Sequence, residues 1–282
     1  MSTSNEKITK DMLQSIAKTF CVQHQGDDDA RIAQSLVFNA GRLAWRMRET
    51  GVSTRQKTSV SDVVTEADEA AEFFVSLVLH TLRPDDGILG EEGTSQASTS
   101  GKTWVIDPVD GTYNFASGSD YWCSALALVT GDPSAPETVH LGAVHRPAMG
   151  YTWFGGPGIP TTCYGKQVAG IVDAEASQIC LGTYVHPSWI GDDELLNCWR
   201  RVARQFATIR MFGAGSVDLS SVADGSLGCW MQHSVKDWDW LPGKALVEAA
   251  GGVTAEVPAG GVVWKIAGPK TAVAQMKEAL TC

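Results

Sequence analysis

No stretch of this chain approaches the roughly 18 consecutive apolar residues needed for a membrane-crossing helix. Residues 1–10 also lack the apolar core of a secretory signal. A transmembrane helix is thereby excluded, and a cytoplasmic location without membrane partners is the expectation. Positive charge is scarce too: 22 Lys and Arg against 32 Asp and Glu leave a formal net charge of −10. That balance argues against a broad basic face for nucleic acid. The seven cysteines, at positions 21, 123, 163, 180, 198, 229 and 282, include no CxxC pair. Neither a disulfide framework nor a cysteine zinc site is indicated, and the thiols read as reduced. The six histidines lack HExxH spacing, and there is neither a GxxxxGK[ST] loop nor a GxGxxG fingerprint. Zincin, P-loop and dinucleotide-binding chemistries therefore drop out.

What remains is an ordinary globular composition, 44% hydrophobic and 19% charged, with ten tryptophans to fill a core. Its 282 residues suit one large domain or two packed halves. A short helix is expected over residues 12–21. A second follows the Asp27–Asp29 start signal, with Ile32, Leu36, Ala40, Leu43, Ala44 and Met47 at spacings of three and four. Thr65-x-x-Asp68 has the form of a capping box and opens a third helix that ends before Pro84. Beyond residue 88, short strands are expected at 103–106, 122–129, 139–145 and 151–154, and 93–101 reads as a Ser/Thr-rich surface loop. Leu195, Trp199, Val202 and Phe206 mark another helix. A further one is expected to start after Trp240-Leu241-Pro242 and to stop at Gly251-Gly252. Residues 262–266 and 271–280 read as a closing strand and helix. Such a mixture predicts a layered α/β or α+β architecture.

Chemistry concentrates in Trp104-Val-Ile-Asp107-Pro-Val-Asp110-Gly-Thr112-Tyr-Asn114-Phe115. A buried strand is expected to deliver Asp107 at its end, Pro108 to stop the ladder, and Asp110 to return to the same side. Two carboxylates so close repel unless a cation lies between them. Hard oxygen ligands suit magnesium, which also accepts substrate phosphate. Gly111 lets backbone approach an anion, and N–H groups of Gly111 and Thr112 would point at it from a helix start. The plain alternative is an Asp-rich turn, which DPxDG also favours. Three more acidic segments accompany it: Glu91-Glu92 in a GEEG run, Asp239 between two tryptophans, and Asp62 with Asp68. Taken singly, Asp239 could be a helix cap, and Glu91 and Asp68 solvated charges.

Taken together, GEE, WxxDPxDGTxNF and WDxxxG…EAGG occur in the order that resembles the inositol monophosphatase family of lithium-sensitive, magnesium-dependent phosphatases, across residues 28–268. The resemblance implies an alternating α-β-α-β-α sandwich, usually a homodimer. In this chain that means a 1–27 extension and a single 28–282 domain, its metal-binding half at about 28–155 and its second half at about 156–282. The implied activity is Mg2+-dependent hydrolysis of a small phosphomonoester, with two or three ions and Mn2+ as an alternative. Inositol 1-phosphate is the family default. Histidinol phosphate, fructose bisphosphate and 3′-phosphoadenosine 5′-phosphate are alternatives, and a silent phosphometabolite-binding module is the non-enzymatic one.

By the same resemblance, Glu91, Asp107 and the Val109 carbonyl would hold one ion, and Asp107, Asp110 and Asp239 a second. Glu91 would help with a weaker third, and Asp68 with Thr112 would activate water. Lys57 matches a mobile-loop lysine. Gly111, Thr112, Gly213 and Gly215 would meet phosphate or substrate, the last two within the 210–215 loop. Seven residues before Asp239, where inositol-phosphate enzymes often carry an acid, stands Gln232. Lys236 and Trp240-Leu241-Pro242 are further departures.

Overall fold

Thr9 and Asp28 each accept the backbone N–H three residues on, and from these caps rise α1 (Lys10–His24) and α2 (Asp29–Thr50). The computed structural model describes residues 8–51, 54–56 and 63–282, with residues 54–56, 63 and 64 entering through their backbone alone. Lys57 and Asp62 lie outside the described residues. A short antiparallel pair, β1 (Thr54–Gln56) and β2 (Val63–Thr65), leads into α3 (Glu66–Leu82). There the expected capping box is complete: the Thr65 hydroxyl accepts from the Asp68 N–H, and the Asp68 carboxylate accepts from the Thr65 N–H.

The chain then builds a large sheet from β3 (Gly87–Gly90), β4 (Ser95–Gln96) and β5 (Lys102–Asp110). After the five-residue helix α4 (Thr112–Ala116) come β6 (Cys123–Asp132), β7 (Ala135–Arg146), β8 (Tyr151–Gly156), β9 (Ile159–Cys163) and β10 (Lys166–Gln167). The strand order is β10-β9-β8-β7-β6-β5-β3-β4, with only the β3–β5 pair parallel. A second sheet follows, formed by β11 (Cys180–Thr183), β12 (Thr208–Arg210), β13 (Cys229–His233), β14 (Val253–Ala259) and β15 (Val262–Gly268) in the order β12-β11-β13-β15-β14. Helices α5 (Asp193–Ala203), α6 (Gly215–Asp224), α7 (Asp237–Ala249) and α8 (Lys270–Thr281) interleave with it.

Three apolar cores stack these pieces into five layers. Trp104, Ile106, Leu126 and Leu128 face α1–α3 on one side of the large sheet. Val105, Ala125, Ala127 and Val129, the alternate residues, face α6 and α7, which meet Trp230 and Ala267 of the small sheet on their other side. The far face of the small sheet packs on α5 and α8 through Leu181, Met231, Ile266, Val202 and Met276. Because both faces of the large sheet's central strands are covered, β5 and β6 read as unbroken apolar runs instead of alternating ones. The sandwich is the α-β-α-β-α layering that the sequence resemblance implies.

Two expectations need correction. Pro108 does not stop the ladder. β5 continues to Asp110 with a register shift, Asp107 opposite Ala125 and Asp110 opposite Cys123, so the strand holds one extra residue there. And α7 begins at Asp237, five residues before Pro242, which therefore lies inside the helix. Its missing N–H withholds a bond from the Trp238 carbonyl, yet the helix persists because its apolar face is buried between the sheets: Trp240, Leu241 and Leu246 are at most 2% exposed. Smaller differences also occur. α1 is longer than expected, Phe206 falls beyond α5, and the strands of the second sheet other than β15 carry too little pattern to be expected.

α7 approaches β7 so closely that a Cβ on Gly142 would lie 2.1 Å from the Pro242 carbonyl oxygen. Backbone on both sides cannot yield cheaply. Gly142→Ala is expected to destabilise the protein by about 2–3 kcal/mol, the usual cost of overpacking, read as a lower urea midpoint with unchanged slope. A midpoint equal to that of the parent would contradict this packing.

Candidate active site

In a regular strand, residues 107 and 110 would point to opposite faces of the sheet, since their separation is odd. The bulge at Pro108 changes that phase. Val109 joins Trp104 and Ile106 in the first core, and Asp110 turns to the face that carries Val105 and Asp107. The Val109 N–H donates to Asp107 Oδ1 at 3.1 Å and holds the turn around the proline. The Ser124 hydroxyl donates to the Pro108 carbonyl at 2.6 Å.

The first turn of α7 supplies the third acid. Carboxylate oxygens of Asp107, Asp110 and Asp239 all lie within 4.8 Å of one another. Asp110 Oδ2 also accepts the Ser216 N–H at the start of α6, so the positive end of that helix faces the cluster. Burial, then Glu91, Asp110 and Asp239, push the Asp107 carboxyl well above the usual carboxylate range. Burial first, against the Ser216 N–H, raises Asp110 to about 6. Burial, then Asp110 and Glu91, raise Asp239 to about 8. Glu91 stands outside the closest three, but its charge bears on all of them and it lines the same cleft.

The acids fit a divalent cation. Asp107 Oδ2 is buried with no hydrogen-bond partner among the described residues, a costly condition for a carboxylate that a hard ion would relieve. All donors in the cluster are oxygens, which suits magnesium or manganese over softer metals.

Asp68, fully buried, serves two neighbours. Its Oδ2 accepts the Thr65 N–H at 3.1 Å and the Thr65 hydroxyl, which fixes the carboxylate's orientation through the helix cap. Its Oδ1 then faces Thr112 Oγ1 at 3.1 Å. Thr112 Oγ1 is also 3.0 Å from the Val109 carbonyl, so its single proton has two acceptors to choose between. Burial raises Asp68 to about 7, with Glu92 and Glu91 adding to the rise.

The remaining expected residues fall into place around a cleft of about 750 Å³, lined in part by Glu91, Asp110, Gly111, Thr112, Gly213, Gly215, Gln232 and Asp239. Gly111 has φ of 90°, and a Cβ there would sit 3.0 Å from the Ala214 Cβ and 3.3 Å from the Gly213 carbonyl oxygen. Only glycine lets the 110–112 turn and the 213–215 loop approach this closely. Arg210 ends β12 with its side chain exposed on Thr208 and the Ile209 carbonyl. Asp107 and Val109 lie beneath the cleft, fully buried.

Sequence reasoning overlooked Glu72. It is 2% exposed, and its two oxygens accept the N–H groups of Glu92 (2.8 Å) and Thr94 (2.9 Å). It therefore holds the turn that carries Glu91. The signal was present: Glu72 lies one helical turn beyond Asp68, beside Ala71 and Val75 on the apolar side of α3, where an acid needs a partner. Tyr113, Tyr184 and His186 also line the cleft and were not anticipated.

Residues 27–280 match the inositol monophosphatase family, and the chain belongs to that family. It is similar to inositol-1-monophosphatase of Mycobacterium leprae, 34% identical over 218 residues that cover 74% of this chain and 72% of that one. It is also similar to histidinol-phosphatase of Mycobacterium tuberculosis, 30% identical over 242 residues, 80% of this chain and 86% of the other. Among solved structures, extragenic suppressor protein SuhB from Bartonella henselae superposes with a TM-score of 0.79 over 89% of this chain and 97% of that one, at 23% identity. Among the described residues no helix is long and apolar enough to cross a membrane.

The raised carboxyls have a consequence for pH. A carboxyl whose folded pKa exceeds its unfolded value, about 4, weighs against the fold as pH rises between the two values. In the metal-free protein these acids therefore weigh increasingly against the fold as pH rises from about 4 to about 8. A cation must displace the protons that Asp107 and Asp239 retain, and protons compete less at high pH. The rise in Tm on adding magnesium is expected to be larger at pH 8 than at pH 6. Equal shifts at the two pH values would argue against an ion at these acids.

Proposed function

We propose that this chain is a magnesium-dependent phosphomonoesterase that hydrolyses a small phosphorylated metabolite, with inositol 1-phosphate the first substrate to test. The observation that carries the reading is the juxtaposition of Asp107, Asp110 and Asp239, including the unpartnered Asp107 Oδ2, with the Asp68–Thr112 pair at one cleft. Family membership supports a phosphomonoester as the reacting group, with water attacking phosphorus and the alcohol departing. The names of the relatives keep histidinol phosphate and fructose bisphosphate as alternatives, and the sequence resemblance adds 3′-phosphoadenosine 5′-phosphate.

In this reading Glu91, Asp107 and the Val109 carbonyl hold one ion, Asp107, Asp110 and Asp239 a second, and Glu91 assists with a third. Such ions, magnesium or manganese, neutralise phosphate charge and make a water easier to deprotonate. The chain's own residues do the rest. Thr112 Oγ1 accepts a hydrogen bond from the attacking water while its proton points to Asp68 Oδ1, 3.1 Å away. Asp68, raised to about 7, is matched to taking a proton near neutral pH. N–H groups of the 111–112 turn and of the 213–215 loop orient the phosphate for in-line attack. A cytoplasmic homodimer accompanies the proposal, and sedimentation of the purified protein tests the dimer.

Asp107→Asn is expected to reduce magnesium-dependent phosphate release to near background with the fold retained, because it removes a shared ligand. Near-normal turnover at saturating magnesium would overturn the metal assignment. Thr112→Ala and Asp68→Asn are expected to lower kcat by roughly 10²–10⁴-fold, the worth of a positioned base, while apparent magnesium affinity changes far less. Full recovery of turnover at high magnesium would overturn that division of roles. Absence of magnesium-dependent phosphate release from any of the named substrates would favour a silent binding module instead.

A further inference from the structure

Thr112 and the 213–215 loop come from different sheets. Thr112 opens α4 directly after β5 of the large sheet, whereas residues 211–214 join β12 of the small sheet to α6. Attack on a phosphate held between them requires the two to keep one relative position, since a misplacement of about 1 Å can cost about 10²-fold in rate. Three side chains that the proposed chemistry does not use, Asn114, Tyr121 and Asp218, bridge this junction.

Asn114 lies two residues beyond Thr112 in α4. Its amide donates to the carbonyls of Phe212 (2.8 Å) and Gly213 (3.3 Å) across the junction, and to that of Tyr121 (2.9 Å) on its own side. A trans peptide sets its N–H opposite its C=O. Carbonyls turned towards Asn114 therefore turn the Gly213 and Ala214 N–H groups the other way. Neither N–H donates to a backbone carbonyl among the described residues. Both are available to an anion, next to the Ser216 N–H that meets Asp110. The junction has no slack: a Cβ on Gly111 would lie 3.2 Å from the Tyr121 carbonyl oxygen and 3.3 Å from that of Gly213.

Tyr121 completes the bridge from the large-sheet side. Its hydroxyl donates to Asp218 Oδ1 at 2.6 Å. Asp218 stands in the first turn of α6, where its own N–H donates to the Ala214 carbonyl at 3.0 Å. The Phe212 ring rests on the Tyr121 ring, centroids 4.7 Å apart, and the Arg146 guanidinium lies 4.6 Å from the centre of the same ring. Asp218 is 2% exposed and belongs neither to the cluster of three acids nor to the lining of the cleft. An acid so buried is costly unless it is hydrogen-bonded, and the bond that it makes ties the start of α6 to Tyr121.

We propose that Asn114 and the Tyr121–Asp218 pair are positioning residues that hold the 213–215 loop against the Thr112 turn, so that the loop's N–H groups and the attacking water address one phosphate in line. The inference deepens the phosphatase reading and rests on it, so its test measures phosphate binding as well as turnover. Calorimetric titration with inorganic phosphate in magnesium compares the parent with Asn114→Ala, Tyr121→Phe, Asp218→Leu and Asp218→Asn. Asn114→Ala is expected to weaken phosphate binding by about 10-fold and to raise KM for the best of the named substrates in parallel. It is also expected to lower kcat by up to about 10²-fold, with half-saturating magnesium changed by less than about 3-fold. Tyr121→Phe and Asp218→Leu each break the hydroxyl–carboxyl bond and are expected to weaken phosphate binding by roughly 3- to 10-fold. Asp218→Asn keeps an oxygen that accepts the Tyr121 hydroxyl and is expected to bind phosphate as the parent does.

A merely structural role would lower Tm in these variants and leave the phosphate affinity and KM of the folded protein unchanged. That result in both Asn114→Ala and Tyr121→Phe would overturn the proposal. Equal losses in Asp218→Asn and Asp218→Leu would remove the Tyr121–Asp218 bond from it. Turnover by the parent separates the two readings. The expected pattern of phosphate binding with no phosphate release from any named substrate would overturn the phosphatase reading alone. Phosphate release by a parent whose phosphate affinity and KM none of the variants alters would overturn this inference alone. A parent that neither binds nor releases phosphate in magnesium would overturn both.

Discussion

Three carboxylates with oxygens within 4.8 Å of one another, two of them almost completely buried, repel one another strongly, and much of the local structure exists to hold them there. The bulge at Pro108 brings Asp107 and Asp110 to one face of the large sheet, against the regular alternation of a strand. The start of α6 offers its N–H groups to Asp110, and the first turn of α7 presents Asp239 from the opposite layer. Helix N-termini moderate negative charge but do not cancel it. Burial first, and the neighbouring acids after it, raise all three carboxyls, so the protein alone disfavours their charged forms. A divalent cation is the counter-charge that this donor set fits.

The two halves of the cleft differ in origin and in chemistry. Asp107, Asp110, Thr112 and Asp68 are tied to β5, α4 and the capped end of α3, elements locked by the first core. Asp68 is simultaneously a helix cap and a site residue, so the stability of α3 and the orientation of its Oδ1 have a common cause. Glu72, one turn further along, ties the Glu91 turn to the same helix. The facing wall of the cleft comes from Tyr113 of α4, the ends of small-sheet strands and the 210–215 loop. Substitutions there would alter the surface of the cleft without touching the acids.

Chemistry was more legible in the amino-acid sequence than geometry. Asp107, Asp110 and Gly111 stood out because paired acids and tight turns are local in sequence, whereas Glu91, Asp239, Gly213, Gly215 and the pairing of Asp68 with Thr112 were singled out by the order of motifs that the family resemblance supplies. Helices α2 and α3 were legible for the same reason: their periodicity and caps agree. The start of α7 was not. Pro242 suggests a first turn, and only the packing of Trp240, Leu241 and Leu246 between two sheets keeps a helix running through it. Glu72 was passed over because its partners lie 20 and 22 residues away on another element.

The sequence by itself determined which residues could hold a cation and move a proton, because residue type sets charge, donor count and ligand hardness. Only the tertiary structure decided that a bulge within a continuing strand, and not a break at Pro108, brings Asp107 and Asp110 to one face, that Asp239 joins them across a layer, and that Tyr113, Tyr184 and Phe212 border the same cleft as Gln232. Those outcomes depend on a one-residue change of strand phase and on contacts between residues about 100 positions apart. The distant contacts leave no trace in local pattern, since they arise from how the layers pack.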